Sequence, residues 1–132
     1  MSDANMVLQA ATVAVLQTHP ALAVTLSGVF DGPPPRAAYP YIAVADGLMT
    51  DWSTKTQTGR EVRLALNIWD DGDEPTRLQQ LAGHVEDAVA ALPRDLAGWR
   101  IASCVFLRQL VSRDPAGPMA ALIEYRVRLL AA

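Results

Sequence analysis

The side chains best suited to chemistry in this sequence are a run of acidic residues, two histidines and a single cysteine. The acidic run consists of Asp70, Asp71, Asp73 and Glu74. Carboxylate oxygens bind hard cations, but this run lacks the ligand spacing of a calcium loop, and acidic residues just before a helix commonly cap it. The run therefore predicts a helix start and not a metal site.

The histidines and the cysteine do not form a catalytic pattern either. His19 precedes a proline, and His84 falls alone on the polar face of a predicted helix. Cys104 lies in the apolar run 101–107, which predicts a buried thiol and not an activated nucleophile. The glycines stand singly at turns, so no phosphate-binding loop is visible. The sequence predicts a protein that is not an enzyme and that uses no catalytic residue, metal or cofactor.

Length and charge restrict the class of protein further. A chain of 132 residues can bury roughly two-thirds of the surface that its unfolded form exposes, which predicts a single domain over residues 1–132. The formal net charge is -3, and the arginines are scattered along the chain. A sequence-specific DNA-binding protein would carry a basic face or a reading motif, and neither is visible.

The first residues and the apolar runs predict the compartment. The segment MSDANMVLQ is acidic and polar, and it lacks the basic and apolar regions of a secretion signal. No apolar run approaches the roughly 18–20 residues that cross a bilayer. The single cysteine cannot form an intramolecular disulfide. We expect a protein that is made in the cytoplasm, is kept or assembled there, and has no membrane contact.

The clearest secondary-structure signal is a strand over residues 61–69. Its apolar side chains alternate with more polar ones, which is typical of a strand with one buried face. They are Val62, Leu64, Leu66 and Ile68. Segments 39–45, 100–111 and 118–130 also have strand character. Segment 100–111 is apolar on both faces near its middle, which predicts a central strand, whereas one face of segment 118–130 is charged.

Two amphipathic helices complete the predicted fold. One spans residues 2–18, and the other has an apolar stripe of 3.6-residue period over residues 78–92 and a cap at Asp73 or Glu74. The order of elements predicts an α+β fold with about four mostly antiparallel strands in one sheet. Two main helices pack on one face of this sheet, and a long loop joins the first two strands.

The long loop is the segment that most indicates a function. Residues 48–60 contain Trp52 and Lys55 among short hydroxyl side chains, and a loop of this length in a small domain is commonly functional or mobile. It is either a hairpin tip without a role or a surface that becomes ordered against a partner. An aromatic side chain in a polar loop can anchor an interface, which favours the second interpretation.

In their order along the chain, these segments resemble a known family. An N-terminal helix, DGPPPRAAYPYI, DWSTKTQTG before the alternating strand, an amphipathic helix and a closing pair of strands follow one another. This arrangement is similar to the phage tail-completion or tail-terminator proteins, including those of gene transfer agents. The resemblance covers nearly the whole chain and depends on the order and spacing of the segments, since no single one is a chemical signature.

The resemblance implies a structural role in a virion or phage-like particle. Proteins of this family form a ring, usually a hexameric ring, on the finished end of the tail tube at the head-tail junction. The ring stops tube growth and offers a docking surface to the head-tail connector or stopper protein, and DNA later passes through it without sequence-specific binding. The implied partners are further copies of the chain, the tail tube protein and the connector.

The residues expected at subunit or ring contacts form two groups. The loop contributes Asp51, Trp52, Ser53, Thr54, Lys55, Thr56 and Arg60, and the turn before the first strand contributes Asp31 and Arg36. A proline-bearing edge strand and a loop that orders on binding would supply surfaces for side-by-side association, which a closed ring satisfies. The alternative is a small-molecule-binding regulatory α+β domain, for which a ligand-dependent rise in melting temperature would be the sign.

Overall fold

The computed structural model describes residues 3–34, 36–45, 47–113, 115 and 117–132, which form three helices and a seven-stranded sheet. The helices are α1 (Ala4–Thr18), α2 (Pro20–Thr25) and α3 (Thr76–Ala90). The strands are β1 (Gly28–Asp31), β2 (Tyr41–Ala45), β3 (Met49–Asp51), β4 (Gly59–Asp70), β5 (Asp95–Leu96), β6 (Trp99–Arg113) and β7 (Met119–Ala131). The predicted α+β class is confirmed, and the four predicted strands correspond to β2, β4, β6 and β7.

The sheet is mixed and larger than predicted. Its strand order is β1-β2-β4-β7-β6-β5, and β3 pairs with β4 beyond the end of β2. The β1 and β2 strands are parallel, while the other pairs are antiparallel. The sequence analysis missed β1, β3 and β5 because strands of two to four residues are too short to show a period. It also placed β2 at an edge, whereas β2 lies between β1 and β4.

The hydrophobic core lies between one face of the sheet and the helices α1 and α3. The strands β4 and β7 pair along the whole length of β4 and form the centre of the sheet. Their inward side chains are buried, and these are Val62, Leu64, Leu66, Ile68, Ile123, Val127 and Leu129. The apolar stripe of α3 packs on them through residues that include Leu78, Leu81, Val85 and Val89. The predicted alternation of β4 and the predicted stripe of α3 are both confirmed.

The predicted cap of α3 is wrong. Pro75 occupies the N-cap position and makes no side-chain capping bond. Asp70, the first residue of the acidic run, is the last residue of β4, and its carboxylate is fully buried. It accepts hydrogen bonds from Arg77, including one from Nε at 3.0 Å. The Arg77 guanidinium holds the pKa of the Asp70 carboxyl below its usual value, although burial acts in the opposite direction. The acidic run therefore fastens the end of β4 to the first turn of α3.

The strand β6 is not the central strand that its pattern predicted. Its outer edge pairs with β5 only at Trp99 and Arg100. Beyond Ile101, no strand of the described residues pairs with this edge, and we call residues 102–113 the free segment of β6. Cys104 lies in this segment and is exposed, contrary to the buried thiol that was predicted. The residue pattern showed that both faces of the strand are apolar, but it could not show which element would cover them.

Candidate functional site

The predicted interface loop is a hydrogen-bonded hairpin. The strand β3 pairs with the first residues of β4, and next to this pair the Trp52 amide donates to the Gly59 carbonyl oxygen at 2.9 Å. The Thr54 amide donates to the Gln57 carbonyl oxygen at 2.9 Å and closes the tip. Residues 48–60 therefore form a hairpin through hydrogen bonds within the chain, and that their surface contacts a partner stays a prediction.

Two of the predicted interface residues pair with each other in this hairpin. Arg60 Nη1 lies 3.1 Å from Asp51 Oδ1, and the Ser53 hydroxyl donates to the same oxygen at 2.6 Å. The hairpin also needs a glycine at position 59, since a Cβ there would lie 2.2 Å from the Trp52 carbonyl oxygen. The Asp51 side chain is 74% exposed, so this ion pair adds little stability and stays accessible to a second chain.

Trp52 packs against the chain's own sheet. The Arg128 guanidinium of β7 lies 5.3 Å from the centroid of the Trp52 ring, in cation–π contact. Arg128 is itself held in place, because its Nε donates to Glu61 Oε1 at 2.9 Å. Trp52 is half-buried as a result. It positions the hairpin on the sheet, which leaves Lys55 and its neighbours as the outward-facing tip.

The other predicted residues are exposed and lie in two separate places. Thr54, Lys55 and Thr56 form the exposed hairpin tip, and Lys55 is the single lysine of the sequence. Asp31 is the last residue of β1, which pairs with β2, whereas β3 pairs with β4. Arg36 follows β1 in the chain and is exposed. Asp31 and Arg36 therefore do not belong to the hairpin. That any of these residues contacts a partner stays a prediction.

The free segment of β6 is a surface that the sequence analysis did not select. Four of its large apolar side chains are between 39% and 53% exposed, namely Val105, Phe106, Leu110 and Val111. Directly opposed residues of antiparallel strands share a face, so Phe106 lies on the helix side with Tyr125 and Leu110 lies on the other side with Leu122. A strand with apolar side chains on both faces and one unpaired edge is typical of an association surface. The two-faced apolar pattern was the signal that could have found it.

A cleft of about 360 Å³ opens between the second half of α3 and the free segment of β6. Its lining includes Val89, Leu92, Cys104, Phe106 and Tyr125. The Phe106 ring packs edge-on against Tyr125 at a centroid distance of 5.7 Å. Desolvation raises the pKa of the Tyr125 hydroxyl and of the Cys104 thiol, so both stay uncharged at neutral pH. The cleft therefore combines these uncharged side chains with Glu86 and Arg94, which also line it.

The helix-free face of the sheet carries paired charges, as the sequence of the last strand predicted. Arg108 Nε donates to Glu124 Oε1 at 2.9 Å, and the same glutamate lies 4.0 Å from Arg63. The contact between Arg128 and Glu61 extends this row across β4 and β7. Arg126 of β7 lies opposite Arg63 in the same row, and its Nε has no hydrogen-bond partner among the described residues, so the charges of this face are paired only in part.

One group of possible metal ligands occurs among the described residues. It joins His19, at the junction of α1 and α2, to His84 and Asp87 of α3. The two imidazole centroids are 5.4 Å apart. The sequence analysis considered each histidine alone, because residues so distant in the chain show no sequence signal of their contact. The three-residue spacing of His84 and Asp87 was the only local sign.

The sequence itself matches known proteins over most of its length. Residues 10–130 match the family described as Tail completion protein gp17. The chain belongs to this family. The Tail completion protein gp17 of Bacillus phage SPP1 is 26% identical to this tail-completion chain over 124 residues, which are 93% of this chain and 92% of the relative. The resemblance stated from the sequence is confirmed.

Two solved structures share the fold of this tail-completion chain. A chain in the virion of a native gene transfer agent particle has a TM-score of 0.81 and 25% identity, and the match covers 98% of this chain and 100% of that one. The bacteriophage SPP1 gp17 protein has a TM-score of 0.65 and 23% identity, covering 94% and 89%. Within the described residues, no helix has both the length and the apolar character needed to span a membrane.

Proposed function

We propose that the protein completes the tail of a phage-like particle as a closed ring of identical subunits. The ring sits on the finished end of the tail tube, stops its growth and provides the surface to which the head-tail connector or stopper docks. The family match over residues 10–130 carries this proposal, and the agreement in fold with a chain of a gene transfer agent virion over 98% of the length supports it. Six subunits is the number that the family resemblance implies.

Ring formation would account for the free segment of β6. Burial on both faces is what stabilises a strand that is apolar on both sides, and the isolated chain leaves Phe106 and Leu110 partly open on opposite faces. A second copy of the chain would supply the missing cover. We assign this segment and its cleft to the contact with a neighbouring subunit.

The β3–β4 hairpin offers the second patch that a ring needs. A ring forms from head-to-tail contacts between two different patches of each subunit. The strand β3 pairs with β4 on the edge that faces β2, whereas the free segment is the unpaired edge of β6, so the two patches are formed by different residues of the subunit. The exposed tip with Lys55 and the accessible pair of Asp51 and Arg60 are the polar part of this contact.

Passage of DNA through the ring is compatible with the charge of the chain. The formal net charge is -3, and Arg128 and Arg108 are bound to glutamates. A net negative charge gives no overall attraction to phosphate groups, whose close contacts would add affinity and hinder sliding. We therefore propose that DNA passes without sequence-specific binding.

Two single residues allow the interface to be tested chemically. Cys104 and Lys55 are the only cysteine and the only lysine of the chain, and each reports on one of the two patches. A maleimide and an amine-reactive ester should label both residues in the isolated protein, where they are exposed. In purified particles both positions should be protected, as measured by mass spectrometry of the corresponding peptides, which separates Lys55 from the terminal amine. Equal labelling of Cys104 in particles and isolated protein would show that the free segment is not an interface.

The tail role itself is tested by electron microscopy of particles from a strain that lacks the gene, beside the parent strain. Tails of uncontrolled length, or tails and filled heads that remain separate, are the expected result. Restoration by the wild-type gene is the control. Normal particles without the gene would exclude the proposed function.

The alternative function, small-molecule binding, would use the cleft between α3 and the free segment of β6. The cleft beside Phe106 has the volume of a small-ligand site, which is about 300–1,000 Å³. Under this alternative, a ligand would raise the melting temperature of the isolated protein, and the rise would disappear in a Phe106→Ala variant.

A further inference from the structure

Three side chains with metal-ligand chemistry converge where α1, α2 and α3 meet. One ligand atom from each of His19, His84 and Asp87 lies within 4.8 Å of the other two. His19 ends α1 and directly precedes Pro20, the first residue of α2, while His84 and Asp87 are three residues apart and share one face of α3. Helix packing therefore determines their approach, and no flexible loop is involved.

His19 has a ring nitrogen without a protein partner. Its Nδ1 is buried and forms no hydrogen bond in the structure. A buried polar atom without a partner costs free energy, and such atoms in native proteins call for a missing water or ion. A cation bound by this imidazole would give the ring a polar partner that the protein atoms do not supply.

The ligand set selects the class of cation. Two imidazoles and one carboxylate suit zinc and its first-row neighbours, whereas magnesium and calcium prefer oxygen ligands alone. Zinc bonds to nitrogen and oxygen of about 2 Å place tetrahedral ligand atoms about 3.3 Å apart. Closing the 4.8 Å cluster on such an ion requires a shift on the order of 1.5 Å, which rotation of the exposed Asp87 side chain can contribute.

Two of the three side chains, His84 and Asp87, are accessible from solvent. An open depression of about 480 Å³ on α3 is lined by residues that include Gln80, Gly83, His84 and Asp87. A Cβ built on Gly83 would meet no atom within 4 Å, so the space beside this turn of the helix is unfilled. An ion can reach His84 and Asp87 along this depression, and water can complete its coordination.

We propose that His19, His84 and Asp87 bind one zinc-class transition-metal ion per chain, with water in the remaining position. The bound ion fastens the junction of α1 and α2 to α3. This proposal replaces the expectation that the chain holds no metal, which rested on the acidic run and on each histidine considered alone. It does not depend on the tail function.

The test is isothermal titration of zinc into the untagged, metal-free full chain, beside the variants His84→Gln and Asp87→Asn. The wild type should bind one zinc per chain, and each variant should bind at least about tenfold more weakly, the least that losing even a supporting group of a metal site typically costs. Glu86→Gln is the matched control, because it removes one exposed charge from the same turn of α3 without removing a ligand. Its affinity should equal that of the wild type.

Cobalt provides a second readout at the same site. Cobalt bound to the wild type should show the visible absorption bands of a nitrogen- and oxygen-ligated ion, and these bands should be absent from His84→Gln. Because Asp87 is exposed, we expect the Asp87→Asn variant to fold. This variant therefore tests the site even if His84→Gln is unstable. A wild-type chain that binds no zinc, or equal zinc binding by either ligand variant, would overturn the proposal.

Discussion

The strands β4 and β6 flank the same strand, β7, yet one is enclosed and the other is open. Inward residues of β4 such as Leu66 are completely buried, while Phe106 and Leu110 of β6 are 43% and 53% exposed. Both strands pair with β7 over most of their length. The residue pattern of a strand shows which of its faces are apolar and must be buried. The neighbouring elements determine whether residues of the same chain bury them. We infer that β4 serves folding and that β6 serves assembly.

The largest effect on stability is expected inside the enclosed strand. Leu66→Ala should lower the free energy of unfolding by about 2–5 kcal/mol, because a fully buried leucine leaves a cavity between the sheet and the helices. Urea denaturation of the isolated protein measures the change. A loss below about 1 kcal/mol would show that the core around β4 is loosely packed.

A smaller effect is expected at the end of the same strand. Asp70→Asn should lower the free energy of unfolding by about 1–3 kcal/mol, because it weakens the hydrogen bonds to Arg77. The exposed neighbour Asp71, 3.3 Å from the same guanidinium, provides the control, since Asp71→Asn should change stability much less.

The Asp70 contribution should also depend on pH. The pKa of this carboxyl is lower in the folded chain than its ordinary value of 3.8, so the unfolded chain takes up the proton first as the pH falls. The stabilisation is therefore complete well above about pH 4 and is lost as the pH falls through the folded pKa. The difference in unfolding free energy between wild type and Asp70→Asn should be constant near neutral pH and shrink in acid. A difference that stays constant into strong acid would contradict this role.

The hairpin is expected to show a modest effect on stability. Trp52→Ala should cost about 0.5–1 kcal/mol through loss of the cation–π contact with Arg128, while Lys55→Ala should leave stability unchanged. The double variant should fold, as circular dichroism can verify, and it should enter tails less efficiently than the wild type. Normal incorporation would remove the hairpin from the proposed interface.

The smallest effect on stability is expected in the open strand, where the consequence for assembly is greatest. Leu110→Ser should change the free energy of unfolding by no more than about 0.5 kcal/mol, because the side chain is already largely solvated. The same variant should fail to restore joined tails in the deletion strain. Val24→Ser on α2 is the matched control, since Val24 is 85% exposed and lies outside the free segment. Equal restoration by both variants would show that β6 is open for another reason.

Local patterns accounted for much of the fold and for the family. The alternation around Leu66 and the stripe of α3 depend on residues close in the chain, so the sequence analysis could find them. The hairpin was one of two interpretations of residues 48–60, and the sequence did not favour it because its decisive bonds join backbone atoms, as between Trp52 and Gly59, which side-chain patterns do not show. The sequence analysis selected Lys55 as a subunit-contact residue, which stays a prediction, and it could not show that Trp52 packs on Arg128.

The sequence by itself determined the long helices and strands and which of their faces are apolar, because these properties depend on residues a few positions apart. Only the tertiary structure decided that β6 lies near the edge of the sheet, that Cys104 is exposed, and that His19 meets His84. Sheet order and helix packing depend on the combined free energy of contacts between distant segments. No single segment contains that information, so the free segment of β6 and the histidine cluster emerge only when the chain is folded.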